Sequence, residues 1–151
     1  MGKRLIDLYP YRTSPSGPEF LLLKRAKGKI YEGQWRMVGG KAEEGETFWQ
    51  AALRELKEET GLNPKSFWTL PSINTFYEYT SDMIHQVPAF AAELDPSSNP
   101  ELDDEHLTFG WFEADKAVQL IHWPEQKRLI QLADHILKHD QILEEWLVPL
   151  Q

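Results

Sequence analysis

The sequence predicts an α/β fold in which one β-sheet is covered by helices on two faces. Three observations support this: short apolar segments open the chain, a strongly helical segment follows, and further β-rich segments precede a helical C-terminal part. Of the 151 residues, 41% are hydrophobic and 12% are aromatic, which is enough for a packed core. This length predicts a single domain over residues 1–151.

The first part of the chain alternates short strands with loops. Residues 5–9 and 20–23 are apolar-rich and predict two strands of a hairpin, the second one fully buried because its apolar residues do not alternate. The Pro, Gly and Ser residues within 12–18 predict the loop between them. Residues 35–38 predict a short strand that ends at the glycine pair 39–40.

The segment 47–60 predicts a helix. It contains mainly strong helix formers, Thr47 is suited to cap its start, Gly61 fits the position after its end, and Pro64 prevents continuation. One stripe of this helix should pack on the sheet: Trp49, Leu53, Leu56 and Thr60.

The C-terminal half repeats the pattern of strands followed by helices. Pro124 is well placed at the first position of the last helix. The predicted strands are residues 66–70, 73–79, 86–94 and 107–112, and the predicted helices are residues 114–121 and 124–147.

Charge and composition exclude several classes of function. The chain carries 16 Lys and Arg against 24 Asp and Glu, a net charge of −8, which argues against nucleic-acid and anionic-membrane partners. Cysteine is absent, so disulfides, thiolate nucleophiles and cysteine-based metal sites are excluded. No apolar stretch has the length of a signal peptide or membrane helix, which predicts a soluble cytoplasmic protein.

The acidic residues of the central helix are its most informative feature. Glu55, Glu58 and Glu59 fall within about 100° of one another around the helix axis, although like charges at these spacings repel. A solvated acidic face is the alternative interpretation. The spacing itself favours a function: Gly40 is followed after five residues by Glu46, and after seven more by Arg54-Glu55-Leu56-Lys57-Glu58-Glu59-Thr60-Gly61-Leu62.

This pattern resembles the complete signature of the Nudix hydrolases, with a Val in place of the Pro that many members carry before the glycine pair. The resemblance implies a mixed sheet in an α/β/α arrangement and hydrolysis of a diphosphate bond with Mg²⁺, or Mn²⁺ as the alternative ion. Hard oxygen ligands suit both ions. The resemblance assigns Glu58 and Glu59 as central metal ligands, Glu55 as a further ligand or general base, Gly39 as a carbonyl ligand, Arg54 as the residue that orients the glutamates, and Glu46 as a supporting residue.

A second acidic segment lies at residues 101–105. The resemblance to dihydroneopterin triphosphate pyrophosphohydrolases implies that Glu105 is an additional metal ligand or base, and Asp103 or Asp104 are the alternatives for that role. A solvated acidic loop is the interpretation without function.

Three further residues are candidates for substrate binding. By resemblance, Arg25 would contact phosphates, Trp123 would hold a base or pterin ring, and Tyr79 matches a tyrosine of diadenosine polyphosphate hydrolases. The alternatives are a surface cation for Arg25, a core position for Trp123 and an outer sheet face for Tyr79.

The predicted function is hydrolysis of a nucleoside triphosphate or related compound, dATP-like or dihydroneopterin triphosphate, to monophosphate and pyrophosphate. A dinucleoside polyphosphate or nucleotide-sugar hydrolase is one alternative, and a non-catalytic nucleotide sensor is another. The sequence leaves the oligomeric state open, a homodimer included.

Overall fold

A computed structural model describes residues 3–150. Met1, Gly2 and Gln151 lie outside the described residues, as do the parts of the single-domain and signal-peptide predictions that include them. Seven strands form one sheet: β1 (Leu5–Ser14), β2 (Gly17–Arg25), β3 (Trp35–Arg36), β4 (Val38–Lys41), β5 (Ser66–Glu78), β6 (Met83–Glu93) and β7 (His106–Phe112). The helices are α1 (Phe48–Thr60), α2 (Ala114–Leu120), α3 (Pro124–Lys138) and one 3₁₀ turn at Glu144–Trp146.

The sheet is mixed, and β1 lies at its centre. The main strand order is β3-β2-β1-β6-β5, with β4 pairing to β1 and β7 to β2. β1 and β6 are parallel, whereas the other pairs are antiparallel. The predicted α/β fold with a mixed sheet is therefore confirmed.

Helices cover both faces of the sheet because the strand residues alternate between two apolar clusters. Ile6 and Leu8 of β1 point towards α1, and Tyr9 and Tyr11 point towards α2 and α3. β2 divides in the same way, so residues 21 and 23 pack on the α1 side and residues 20 and 22 on the other. The α/β/α layering follows directly from this period of two.

The predicted loop at residues 12–18 is wrong, because most of this segment belongs to the strands of the first hairpin. β1 continues to Ser14 and β2 begins at Gly17, so only two residues form the turn. Arg12 and Glu19 are cross-strand partners, and their side chains form an ion pair at 2.8 Å. Strand pairing thus overrides the turn-forming composition of this segment.

The prediction of two separate strands at residues 66–70 and 73–79 is wrong. They form one strand, β5, and a register shift between Thr69 and Ile73 accommodates Pro71 as an irregularity in the ladder. β6 begins at Met83, earlier than predicted, because its first residues pair with the far end of β5.

The glycine pair and the last helix also differ from prediction. Gly39 and Gly40 do not end a strand but pair with Asp7 and Ile6 inside β4. The predicted helix 124–147 ends at Lys138, where Asp140 adopts a left-handed backbone with φ of 50°. Residues beyond it turn back to the outer edge of β5, where Val148 N–H donates to the Phe67 carbonyl at 2.8 Å.

The helices of residues 3–150 are all too short or too polar to cross a lipid bilayer.

Candidate active site

A polar cleft of about 340 Å³ opens where α1, β4, the end of β2 and the acidic loop 101–105 meet. Its lining combines two glycines, one arginine and six acids: Arg25, Gly39, Gly40, Glu55, Glu58, Glu59, Asp103, Asp104 and Glu105. The structure therefore brings together both acidic segments that the sequence singled out.

Helix α1 is fixed at both ends, which sets the direction of its acidic side chains. Thr47 and Gln50 form a reciprocal capping box at the N-terminus. At the C-terminus, Gly61 has φ of 74° and its N–H donates to the Lys57 carbonyl at 2.9 Å. The stripe predicted to pack on the sheet is partly wrong, because Trp49 is 39% exposed while Ala51 and Ala52 are buried.

Arg54 is the organising cation of the helix. Its guanidinium donates to both carboxylate oxygens of Glu46 at 2.8 and 2.9 Å and to Glu55 at 2.9 Å. Longer contacts of 3.3 Å reach both oxygens of Glu58. The hydrogen bonds from Arg54 lower the pKa of Glu46 to about 2, and the same contacts raise the pKa of Arg54.

Glu59 differs from its neighbours because it is nearly buried, with 6% of its surface exposed. Burial is the main cause that raises its pKa, to about 10, followed by a side-chain hydrogen bond with Glu55 and by the nearby charges of Glu55, Asp103 and Glu105. The charged groups that raise the pKa of this carboxyl are other acids, so acidic side chains are concentrated around a poorly solvated oxygen pair.

Gly40 is required by close approach rather than by a special backbone angle. A Cβ at this position would overlap the carboxylate group of Glu55. The Gly39 position is less crowded, since the nearest atom to a Cβ there is the Ile6 carbonyl oxygen at 3.4 Å. The glycine pair thus allows β4 and the acids of α1 to share the cleft floor.

The donor set of the cleft fits a hard divalent cation. In the described range 3–150, no three His, Asp or Glu side chains are arranged as a ready ligand set, and Arg54 donates hydrogen bonds to Glu55 and Glu58. The close approach of the Glu55 carboxylate to Gly40 and the crowding of acids around buried Glu59 suit a small ion of opposite charge. Glu55, Glu58, Glu59 and the Gly39 carbonyl are the groups that would hold it.

The acidic loop reaches the cleft through Arg25 at the end of β2. Arg25 Nη1 lies 3.2 Å from Glu105 Oε2, and the Ala26 N–H donates to the Glu105 carbonyl at 2.8 Å. Asp103 is engaged by His106 at 2.6 Å, while Asp104 is exposed and lies 3.9 Å from Lys29 Nζ. Of the three acids, Glu105 is the one that pairs with the cleft arginine.

The other two predicted substrate residues lie apart from the acids. Trp123 caps α3 and keeps 41% of its surface exposed, with its ring edge-on to Phe76 at 4.9 Å. Tyr79 lies in the turn between β5 and β6, is 82% exposed, and does not line the cleft.

A buried polar cluster on the α3 side of the sheet was missed by the sequence analysis. Asp7, which pairs with Gly39 in the sheet, accepts hydrogen bonds from Asn74 at 3.0 Å and Gln126 at 3.2 Å. Asn74 in turn accepts from the Trp123 indole at 3.2 Å. The available signal was a lone acid between apolar neighbours in the first strand.

Comparison with known proteins agrees with this geometry. The family model of the NUDIX domain matches residues 10–133. The chain belongs to the Nudix hydrolase family. The resemblance read from residues 40–62 is thereby confirmed.

Relatives of this Nudix chain differ in the substrates that their names state. It is 28% identical over 133 residues to the asymmetrical bis(5′-nucleosyl)-tetraphosphatase of Caenorhabditis elegans, covering 87% of this chain and 94% of the relative. It is 28% identical over 118 residues to the mouse oxidized purine nucleoside triphosphate hydrolase, covering 72% and 67%. Nudix hydrolase 6 of Arabidopsis thaliana is 32% identical over 118 residues, 74% of this chain, which spans only 40% of that protein.

Solved structures support the fold. A C. elegans Ap4A hydrolase binary complex matches with a TM-score of 0.75 at 24% identity, covering 91% of this chain and 99% of the other. The E. coli dihydroneopterin triphosphate pyrophosphohydrolase matches with a TM-score of 0.73 at 23% identity, covering 88% and 97%.

Proposed function

We propose that this Nudix protein is a Mg²⁺-dependent pyrophosphohydrolase that converts a nucleoside triphosphate, or a related dATP-like or pterin triphosphate, into monophosphate and pyrophosphate. The observation that carries the proposal is the crowding of acids around buried Glu59 beside the glycine pair. An acidic cleft of this kind attracts an anionic substrate only together with divalent cations.

The chain's own residues have separate tasks in this proposal. Glu58 and Glu59 hold the ion together with the Gly39 carbonyl, and Glu55 is a further ligand or accepts the proton of the attacking water. The bound ion would offset phosphate charge and acidify that water. Arg54 keeps Glu55 and Glu58 oriented, Arg25 contacts a phosphate, and Glu105 contributes an acid from the opposite rim.

The ring of the substrate would lie against Trp123. Its indole is part-exposed and is held by a hydrogen bond to Asn74, so its orientation is fixed by the Asp7 cluster. Asp7 pairs with Gly39 in the sheet, so the β1–β4 ladder connects this cluster on the α3 face with the cleft on the α1 face. Stacking on a fixed aromatic ring supports binding of a base or pterin.

A second candidate is asymmetrical cleavage of a dinucleoside tetraphosphate. It is favoured by the C. elegans tetraphosphatase relative, of which the chain covers 94%. In that case exposed Tyr79, on the turn between β5 and β6, would contact the second base. A cytoplasmic location is part of the proposal for either candidate function.

The decisive experiment is a panel assay with Mg²⁺. Dihydroneopterin triphosphate, dATP, an oxidised purine triphosphate, a dinucleoside tetraphosphate and a nucleotide sugar are each supplied, and release of phosphate and pyrophosphate is measured. We expect turnover of at least one triphosphate to pyrophosphate, and a loss of at least about 100-fold in the Glu58→Gln variant.

Other outcomes would change the assignment. Turnover of the tetraphosphate alone would support the second candidate. Binding without turnover of any compound would support the non-catalytic sensor, and full activity of Glu58→Gln would contradict the assigned ligand.

A further inference from the structure

His106 occupies the junction between the acidic loop and the sheet. It is the first residue of β7, is 7% exposed, and pairs with Arg25 across the strand ladder next to a register shift. None of the roles proposed above uses its side chain. A buried polar ring at the edge of a charged cleft must satisfy both nitrogens.

The contacts of the ring define which nitrogen carries the hydrogen. Nδ1 lies 2.6 Å from Asp103 Oδ1, which only accepts, so Nδ1 is the donor. Nε2 lies 3.3 Å from Arg25 Nη1, which only donates, so Nε2 is the acceptor. The ring therefore relays a directed chain of hydrogen bonds from Arg25 to Asp103.

This relay limits where Arg25 can point. Its guanidinium also contacts Glu105 at 3.2 Å and the Ile30 carbonyl at 3.0 Å, and the buried carboxyl of Glu59 lies 3.7 Å from the same His106 nitrogen. Without the ring, the guanidinium of Arg25 would be free to turn towards Glu59 and away from the substrate phosphates. The acidic loop would also lose its anchor at Asp103.

We propose that His106 is a positioning residue that holds Arg25 towards the substrate phosphates through Nε2 and fixes the Glu105-bearing loop through Nδ1. This inference rests on the proposed function. The two contacts of His106 have different consequences. The contact with Arg25 affects substrate affinity, and the contact with Asp103 affects the rate of turnover.

Two amide variants separate these contacts, because a glutamine amide reaches the position of Nε2 and an asparagine amide that of Nδ1. We expect His106→Gln to keep KM within about threefold and lower kcat about tenfold. For His106→Asn we expect the reverse, a KM raised about tenfold and a kcat within about threefold. His139→Gln, at the exposed position that follows α3, is the matched control and should have the kcat and KM of the wild type.

A double-mutant cycle tests whether His106 acts through Arg25. His106→Phe and Arg25→Ala should each raise KM about 30-fold, and the double variant should be no weaker than Arg25→Ala alone. A multiplied effect of about 1000-fold, or equal falls in kcat with constant KM across all His106 variants, would overturn the inference.

Calorimetric binding of inorganic triphosphate with Mg²⁺ repeats the cycle without catalysis. A wild type that turns over no compound but shows the same non-additive losses of affinity would refute the proposed function and keep this inference. Absence of triphosphate binding by the wild type, or additive losses, would overturn it. Thermal melting of each variant verifies that the fold is retained.

Discussion

Two buried carboxyl groups, Glu59 and Asp7, lie on opposite sides of the central sheet and have opposite surroundings. Both have pKa values raised by burial. Around Glu59 the neighbouring side chains are mainly acids, which raise its pKa further. Around Asp7 the amides of Asn74 and Gln126 donate hydrogen bonds that oppose the effect of burial on its pKa, and the charge of Arg36 acts in the same direction.

The difference shows how burial of an acid can serve two purposes. The Asp7 carboxyl has its hydrogen bonds within the protein, so its cluster is complete and serves to fix neighbouring side chains such as Trp123. Among the described residues the Glu59 carboxyl lacks such donors, so the raised pKa favours its protonated form. Its ionised form would need a bound cation for stabilisation. We therefore expect the functional site on the Glu59 side of the sheet, where, within residues 3–150, the acidic side chains lack balancing positive charge.

The strongest test of the contrast is Glu59→Gln. Because the variant lacks a proposed metal ligand, we expect activity to fall at least about 100-fold. An acid with a raised pKa binds its proton more tightly in the folded state, so stability decreases as the pH rises from 4.5 towards about 10. In buffer with chelator at pH 7, the variant should therefore be more stable, by a free energy of unfolding on the order of 3 kcal/mol.

Urea unfolding measures this gain, and its pH slope should be reduced in the variant. A variant that is less stable than the wild type at pH 7 would show that the acids around Glu59 are already balanced, and the contrast with Asp7 would fail.

The next test is Gly40→Ala, which fills the space shared by β4 and the α1 acids. The added methyl group overlaps the Glu55 carboxylate, so this side chain must move, and we expect kcat to fall about 100-fold while the fold persists. Gly39→Ala is the comparison variant, with a smaller loss because it keeps its carbonyl and meets no atom closer than 3.4 Å. Equal losses in both variants would contradict the specific role of the Gly40 space.

On the Asp7 side, Trp123→Ala should affect binding rather than chemistry. Loss of a stacking surface should raise KM about tenfold with little change in kcat. Trp123→Phe keeps a ring without the hydrogen bond to Asn74 and should give an intermediate KM. A fall in kcat at unchanged KM would show that Trp123 does not contact the substrate ring.

The smallest effect is expected for Asp7→Asn. The raised pKa of Asp7 means that the wild type loses stability as the pH rises, whereas a neutral amide does not titrate. The free energy of unfolding of the variant, relative to the wild type, should therefore increase as the pH rises above 3.8, by about 1 kcal/mol or less in urea unfolding, with activity within about threefold. A difference that is independent of pH would show that Asp7 is ionised at little cost.

The sequence predicted the parts that depend on local pattern. The α1 acids and the glycine pair follow from fixed spacing, and the α/β/α layering follows from apolar segments of helical or strand character. It did not reveal features that depend on distant pairing. Examples are the long β1 across residues 12–14, the continuity of β5 past Pro71, and the burial of Glu59.

The Asp7 cluster illustrates the same limit for the site. Its hydrogen bonds join residues separated by 67 and 119 positions along the chain, and no local pattern indicates which amides meet the acid. The sequence shows only one feature of this cluster, the single acid Asp7 within an apolar strand.

The segment after α3 protects an edge of the sheet. Leu147 bridges to Trp68 and Val148 donates to Phe67, so the outer strand β5 has a backbone partner there instead of open hydrogen-bonding groups. An exposed strand edge is a template for association with other chains. Shortening the protein before residue 143 would therefore leave the cleft residues in place but promote aggregation, and expression tags are better tolerated if they leave this segment free to dock.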